Sequence, residues 1–356
     1  MEHSKITRLK LKNFTAFEEL DMEFSPGINI FIGDNGTGKT HLLKLLYCIS
    51  KNTTEIVNNN SGEFEKSLVD IFLPYERQFG RLRNNKIEIG NTKNNELRAD
   101  LTFKFNDSNP SLSFYIHNSN RLLVSSNLGG HNYEVFNSVY IPVKEFLENA
   151  PGFLSLYDKR EISFDKTYAD ILYSSFLPKK RSLSKIQENI LDEISKIIGG
   201  RIISIRENFF LEDKEGVQTE FTLLAEGWRK LALLWLLIQN GSLFEEDSIL
   251  FWDEPEANLN PKMKRLIIEI LLELQKNGVQ IFLATHDYVI LKEFDLQKKS
   301  KDKIKFFSLY RDNEKTIQCK SSDDYLMIEP NLIQETFLDI YDRDIERALK
   351  SIGRGK

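Results

Sequence analysis

The apolar run Ile28-Asn29-Ile30-Phe31-Ile32 followed by Gly33-Asp34-Asn35-Gly36-Thr37-Gly38-Lys39-Thr40 constrains this chain more than any other stretch. A short strand stops at a loop with three glycines, and a run of good helix formers, His41 to Tyr47, starts directly after it. The spacing G-x-x-x-x-G-K-T is the P-loop pattern. Its backbone amides and the helix N-terminus cradle phosphates, the lysine reaches the β- and γ-phosphates, and the hydroxyl binds Mg²⁺. The stretch therefore predicts nucleotide contacts at Gly33, Asp34, Asn35, Gly36, Thr37, Gly38, Lys39, Thr40 and His41, with Thr40 also a metal ligand. It predicts an α/β fold as well, because strand, glycine loop and helix follow one another. What the nucleotide is used for lies elsewhere in the chain.

With 356 residues, 41% of them hydrophobic, the chain can bury a sizeable core as one large or two intimately joined domains. No apolar signal region follows Met1, and the longest unbroken apolar run, Leu231 to Ile238, is too short to span a bilayer, so the expectation is a soluble, cytoplasmic protein without membrane contact. Cys48 and Cys319 are too far apart, and too few, to suggest a disulfide framework or a zinc site. A net charge of −5 argues against a generally basic nucleic-acid coat. Local stripes, Arg77, Arg81, Arg83 and Lys86 and then Lys298 to Lys305, leave nucleic-acid contact open, with a solvated face as the plainer reading.

Along the chain, strands are expected at Ile6–Leu11 and Leu20–Phe24, with a turn at Pro26-Gly27 before the P-loop strand. Lys51 to Asn60 reads as a polar loop. Alternation near Lys86–Ile89, Glu96–Phe105 and Leu112–Ile116 predicts a β-rich insertion after the P-loop helix. Between about Lys144 and Ile198 the pattern turns helical, with Ile186, Ile190, Leu191, Ile194 and Ile197 on one face and Gly199-Gly200 closing it. The last third returns to parallel-sheet logic. Ile249-Leu250-Phe251-Trp252 is a continuous apolar strand, Asn260-Pro261 is an N-cap and first helical residue, Gly278 ends that helix, and Val279–Ala284 is the next buried strand. Such a unit brings both strand ends to the sheet edge where the P-loop lies.

Phosphoryl transfer to water needs a metal ligand and a group that orients the water, and Asp253-Glu254 at the end of an apolar strand supplies two carboxylates. Asp253 is the expected Mg²⁺ ligand, and Glu254 the catalytic partner of the water. His286, at the end of the neighbouring strand in Thr285-His286-Asp287, is the second catalytic candidate, as a hydrogen-bond donor to a γ-phosphate oxygen or to the water. Leu223 to Leu237, LLAEGWRKLALLWLL, starts a helix at Ala225-Glu226-Gly227 whose N–H groups suit an anion and which is apolar nearly all round after Lys230.

The order of these motifs, P-loop, A-E-G-x-R-K, apolar strand with D-E-P-E-A-N-L-N-P, then T-H-D, resembles the ABC-type ATPase heads of the RecF, SMC and OLD group. Leu11–Phe17, LKNFTAF, is similar to the N-terminal strand and turn of that group. The resemblance implies an α/β P-loop NTPase fold with a β-rich insertion and a helical signature lobe, and Mg²⁺ and ATP as cofactors. It also implies head-to-tail dimers or higher homo-oligomers, in which Ala225, Glu226, Gly227 and Arg229 of one subunit close over ATP at the other's P-loop, with Asn258 in the loop that crosses between subunits. Two departures stand out. Ala225-Glu226 replaces the usual Ser-Gly, which implies slow or partner-dependent hydrolysis, and Ile141–Glu145 holds the place of the Q-loop without a glutamine, Gln78 being a weak substitute.

The boundaries expected are an ATPase domain over 1–329, with the insertion at about 52–200, and a C-terminal amphipathic helix over 330–356. A transporter's nucleotide-binding subunit is the alternative, but roughly 185 residues separate Thr40 from Ala225, more than that class usually has. Long heptad runs for SMC arms are missing. Only about seventy residues follow His286, too few for a Toprim nuclease domain, so an effector, a nuclease or toxin, is expected on a separate chain. Stand-alone ATPases of bacterial anti-phage systems such as Septu and PARIS look similar. In the tail, Leu332, Ile333, Phe337, Ile340, Tyr341, Ile345 and Leu349 recur at helical spacing. They predict a helix that either packs on its own core or docks a second subunit or effector.

Overall fold

Two antiparallel strands, β1 (Lys5–Phe14) and β2 (Phe17–Glu23), open the chain in the computed structural model, which describes residues 4–84, 97–104, 110–116, 122–127, 136–244 and 247–353. The P-loop strand β3 (Ile28–Ile32) and helix α1 (Lys39–Lys51) follow as expected. The stretch read as a polar loop is instead the end of α1 and a short helix α2 (Thr53–Val57), after which comes α3 (Ser61–Phe72). Lys51, Thr54 and Asn58 to Asn60 face solvent while Thr53, Ile56 and, in α3, Phe64, Leu68 and Ile71 are buried, so average polarity hid a helical stripe.

The three strands that come next, β4 (Leu97–Lys104), β5 (Ser111–Ile116) and β6 (Leu122–Asn127), are not a free-standing insertion. They extend the N-terminal hairpin into a five-stranded antiparallel sheet ordered β2-β1-β4-β5-β6, with Leu9 opposite Leu101 and Leu11 opposite Ala99. The strand expected at Lys86–Ile89 lies outside the described residues.

Strand β7 (Asn137–Ile141) leads into α4 (Phe153–Asp158), α5 (Lys166–Ser175) and α6 (Lys185–Ile198), then a small sheet of β8 (Arg201–Ile205), β9 (Asn208–Glu212) and β10 (Gln218–Glu220). A capping box between Ser184 and Gln187 starts α6, and Gly199, at φ 87°, ends it in the left-handed conformation glycine tolerates. Its buried stripe is Gln187, Ile190, Leu191, Ile194 and Ile198. Ile186 and Ile197, expected on that face, sit on its rim and are exposed.

The helix expected to carry the signature, α7 (Glu226–Gln239), β11 (Ser248–Asp253), α8 (Pro261–Lys276), β12 (Gln280–Ala284), α9 (Tyr288–Gln297), β13 (Ile304–Arg311), β14 (Ile317–Ser322) and α10 (Leu332–Gly353) follow. The central sheet is ordered β14-β13-β3-β12-β11-β7, parallel throughout except for the edge strand β14. One face, with Phe31, Tyr140, Phe251, Phe282 and Phe307, packs with α1 and the five-stranded sheet. The other, with Ile30, Val139, Ile141, Trp252, Leu283 and Phe306, packs under α6, α7, α8 and α9. Burial on both faces explains why β3, β11 and β12 read as unbroken apolar runs. It explains α7 too, since a helix apolar all round is stable only in a core.

Candidate functional site

The carboxyl ends of β3, β12 and β11 meet at one edge of the central sheet, and each carries a predicted motif. At the end of β3 the P-loop curls through Gly33, Gly36 and Gly38, all at positive φ. At Gly38, φ is 89° and an added Cβ would stand 2.4 Å from the Phe17 ring, so the loop closes only around a residue without a side chain. Thr37 donates its hydroxyl to the Asp34 carbonyl at 2.8 Å. Arg311, at the end of β13, donates to the Gly36 carbonyl at 2.7 Å, bracing the loop from outside. Asp34, Asn35 and Gly36 face solvent, and the His41 ring meets Phe72 edge-on at 5.8 Å.

Lys39 is buried and folds back over its own loop, donating to the carbonyls of Gly33 at 2.6 Å and Asp34 at 3.0 Å. Burial lowers its pKa, opposed by Glu254, Asp253, Asp34 and Glu256, the acids that face it. Two of its three N–H groups are thus on carbonyls, which leaves a donor for an anion in the cradle.

Asp253 ends β11 and is buried, bonded to the Thr40 side chain and accepting from the Tyr140 hydroxyl at 3.3 Å. Burial pushes its carboxyl up to about 6, against the Thr40 and Tyr140 bonds that favour the anion. Glu254 begins the turn at φ 48°, and its N–H reaches the Ala284 carbonyl of β12 at 2.9 Å. Its carboxylate is partly exposed, with His286 Nδ1 at 3.3 Å from Oε1. Glu256 lies beneath, buried, accepting from the Thr285 hydroxyl at 2.7 Å and the His286 N–H at 3.1 Å. Burial raises its pKa. The structure thus brings Lys39, Thr40, Asp253, Glu254 and His286 to one place.

The signature residues divide. Ala225 is the exposed N-cap of α7 and Glu226 lies in its first turn. Gly227 is packed so closely that a Cβ would be 3.0 Å from the Asn258 carbonyl, which seats the helix start against the turn carrying Asn258, at φ 62°. Arg229, expected at the nucleotide surface, is instead turned inward. Its Nε is 3.0 Å from the fully enclosed Glu145 carboxylate, and Nη1 bonds to Glu148 and, at 3.2 Å, to the Phe221 carbonyl. Burial outweighs that guanidinium and pushes Glu145 up to about 7. The physical reason is α7's second turn, which already faces the core. Ile141–Glu145 therefore ties the end of β7 to α7 through this pair, while Gln78 bonds to Glu76 at 2.8 Å.

Two site residues, Tyr140 and Arg311, escaped the motif reading, and Lys230, the last residue of A-E-G-x-R-K, points to carbonyls of its own chain. Tyr140 sits in a strand that also carries the polar Asn137 and Ser138, so its hydroxyl did not stand out. Lys230, buried, donates to the carbonyls of Glu254 at 3.2 Å and Ala257 at 3.0 Å, and a lysine opening an apolar helix was its signal. Arg311 had none. Of the basic stripes, Arg77 pairs with Asp70, Arg81 lies 4.9 Å over the Tyr75 ring, and Lys298 sits between Asp295 and Asp324 at 3.7 and 3.6 Å. Arg77 and Lys298 thus have acidic partners within the fold, and Lys86 lies outside the described residues. No described helix is long and apolar enough to cross a membrane.

A parallel sheet with a phosphate cradle, a strand-end Asp-Glu whose aspartate is buried, and a helix seated on the turn after them defines an ABC-type ATPase head of the RecF and SMC group. Residues 28–292 match the family described as "AAA domain, putative AbiEii toxin, Type IV TA system", and the chain belongs to that family. It is 24% identical over 190 residues to the DNA replication and repair protein RecF of Lactobacillus johnsonii, a match covering 53% of this chain and 44% of that protein. To RecF of Clostridium kluyveri it is 37% identical over 91 residues, covering 24% of this chain and 23% of the other. The chain thus spans less than half the length of the curated relatives it matches. Among solved structures, an SMC head bound to the C-winged helix domain of ScpA superposes with a TM-score of 0.52 at 13% identity, covering 89% of this chain and 97% of that one. An SMC head with an extended coiled coil, bound to the C-terminal domain of ScpA derived from Pyrococcus furiosus, gives 0.50 at 11% identity over 96% and 99%. At such identities the likeness establishes the fold.

Proposed function

We propose that this chain binds and hydrolyses ATP with Mg²⁺, closing head to tail with a second copy so that hydrolysis switches a separate effector protein or a DNA transaction. The observation that carries the proposal is the meeting of Lys39, Thr40, Asp253, Glu254 and His286 at one sheet edge. The donor set fits the cofactor. The Thr40 hydroxyl and Asp253 carboxylate are oxygen ligands of the kind a hard cation takes, and a carboxylate whose burial disfavours its anion gains from a cation beside it. Bound there, Mg²⁺ would neutralise charge on the β- and γ-phosphate oxygens. Lys39 and the loop amides hold phosphate, Glu254 accepts a proton from water, and His286 orients that carboxylate through Nδ1. Ala225, Glu226, Gly227 and Asn258 form the surface offered to the partner's nucleotide. Arg229 holds the helix from behind.

RecF is named for DNA replication and repair, and an SMC head has been solved with a domain of ScpA, so DNA and a separate protein are the two partner classes the proposal carries. The likeness to Septu and PARIS ATPases supports a bacterial anti-phage setting and a nuclease or toxin as effector. No observation favours the transporter reading.

The test is a pair of variants. Glu254→Gln is expected to bind Mg-ATP at wild-type affinity, lose phosphate release by at least about 100-fold, and remain a closed dimer in ATP by light scattering. Lys39→Ala is expected to stay folded and lose ATP binding in calorimetry. Undiminished turnover in the first, or normal ATP affinity in the second, contradicts the assignment.

A further inference from the structure

Beyond the ATPase site, helix α10 leaves the body of the molecule. Its root is fixed, with Asn331 buried and accepting from the Gln334 N–H at 3.2 Å, and with Phe337 stacked on Tyr288 of α9 at 4.4 Å between ring centroids. From Leu338 to Lys350 every residue is exposed. That projection is not polar all round. Leu338, Tyr341, Ile345, Ala348 and Leu349 form one stripe, spaced 3, 4 and 3 residues apart over the first four, the a/d pattern of a coiled-coil seam, and Ile345 and Leu349 are 57% and 63% exposed. The opposite face carries ion pairs in the favourable acid-before-base order, Asp339–Arg343 at 2.9 Å and Glu346–Lys350 at 3.4 Å. A helix of this length is marginal alone in water and gains its stability by covering such a stripe.

We propose that α10 pairs antiparallel with α10 of a second copy of this chain. Charge decides the occupant and its direction. Residues 335–344 carry Glu335, Asp339, Asp342 and Asp344 against Arg343, whereas residues 345–353 carry Arg347 and Lys350 against Glu346. An antiparallel pair sets the acidic half of each helix beside the basic half of the other, and a parallel pair sets like beside like. Opposed helix dipoles favour the same direction. The arrangement is a closed two-fold one and stops at two copies per contact. Two heptads make a small interface, so the Kd is expected in the ~10–100 μM range. The contact needs no nucleotide, so its failure and that of the ATPase reading are separately measurable.

The experiment is sedimentation equilibrium on the nucleotide-free full chain from about 1 to about 200 μM. A monomer–dimer equilibrium is expected, with Ile345→Asp monomeric throughout and unchanged in ATP binding. The double reversal Asp342→Lys/Asp344→Lys is expected to weaken association, as is Arg347→Glu/Lys350→Glu, and all four together to restore it, with helicity by circular dichroism unchanged in each. In a Cys319→Ser background, oxidised Ile345→Cys is expected to cross-link to itself near the two-fold axis and Leu338→Cys is not. A chain monomeric at every concentration, association that survives Ile345→Asp, or equal cross-linking through Leu338→Cys overturns the proposal, the first leaving the stripe to a different protein.

Discussion

Lys230 shows most clearly how this site is held. Its ammonium is spent on two carbonyls of the turn that carries Glu254, and that turn is bent through a left-handed residue that would relax without it. Lys230→Met keeps the packing of α7 and leaves both carbonyls short of a donor, at about 1–3 kcal/mol. Turnover is expected to fall roughly 10-fold or more while the ATP Kd moves less than about threefold, read by phosphate release and calorimetry. Equal losses in both would mean that the P-loop, not the turn, depends on it. Glu145 gives a pH test. Its folded pKa of about 7 lies above the ordinary glutamate value of about 4.5, so the native state binds more protons than the unfolded one between those values, and the stability this gives below about 4.5 is lost as pH rises to 7. Relative to wild type, Glu145→Gln is therefore expected to gain about 2–3 kcal/mol between pH 4.5 and 7.5 in thermal melts, after correction for its constant difference. A flat difference would contradict the burial argument. Residues in a local pattern, Lys39, Thr40, Asp253 and Glu254, were legible in the sequence because spacing alone sets their geometry. Tyr140 and Arg311 act on partners 113 and 275 residues away, and no spacing rule reaches that far.

At the scale of elements, signals that act within one turn were readable and pairings between distant strands were not. The N-cap and proline of α8, the glycine ends and the apolar strands β3, β11 and β12 all come from neighbouring residues, and each was placed from them. That β4 pairs with β1 was invisible, since alternation says a strand is half buried but not against what. Arg229 is an element-scale error of the same kind. It lies at the end of the first turn of α7, but the face it occupies is set by Glu145 from a different segment. The capping box of α6 is a local device with a measurable size. Ser184→Ala is expected to cost about 1 kcal/mol and lower the melting temperature by about 2–3 °C, with ATP affinity unchanged. A loss of ATP affinity at unchanged melting temperature would mean that this helix start serves the site rather than the fold.

At the scale of the whole molecule, the proposed function assigns half of an ATP site to each of two surfaces, the P-loop edge and the exposed start of α7, and stands on their meeting across two copies. Each can be disabled separately. Lys39→Ala removes the phosphate ligand, and Ala225→Arg blocks the surface offered to the partner at an exposed N-cap whose role in its own fold is carried by the backbone carbonyl. The decisive measurement is phosphate release from an equimolar mixture of the two variants after subunit exchange. If the sites are shared head to tail, each variant alone is inactive, and the mixture regains a fraction of wild-type turnover, because a heterodimer rebuilds one intact site. A mixture as inactive as its components, in variants shown to be folded and to exchange, would contradict the shared site.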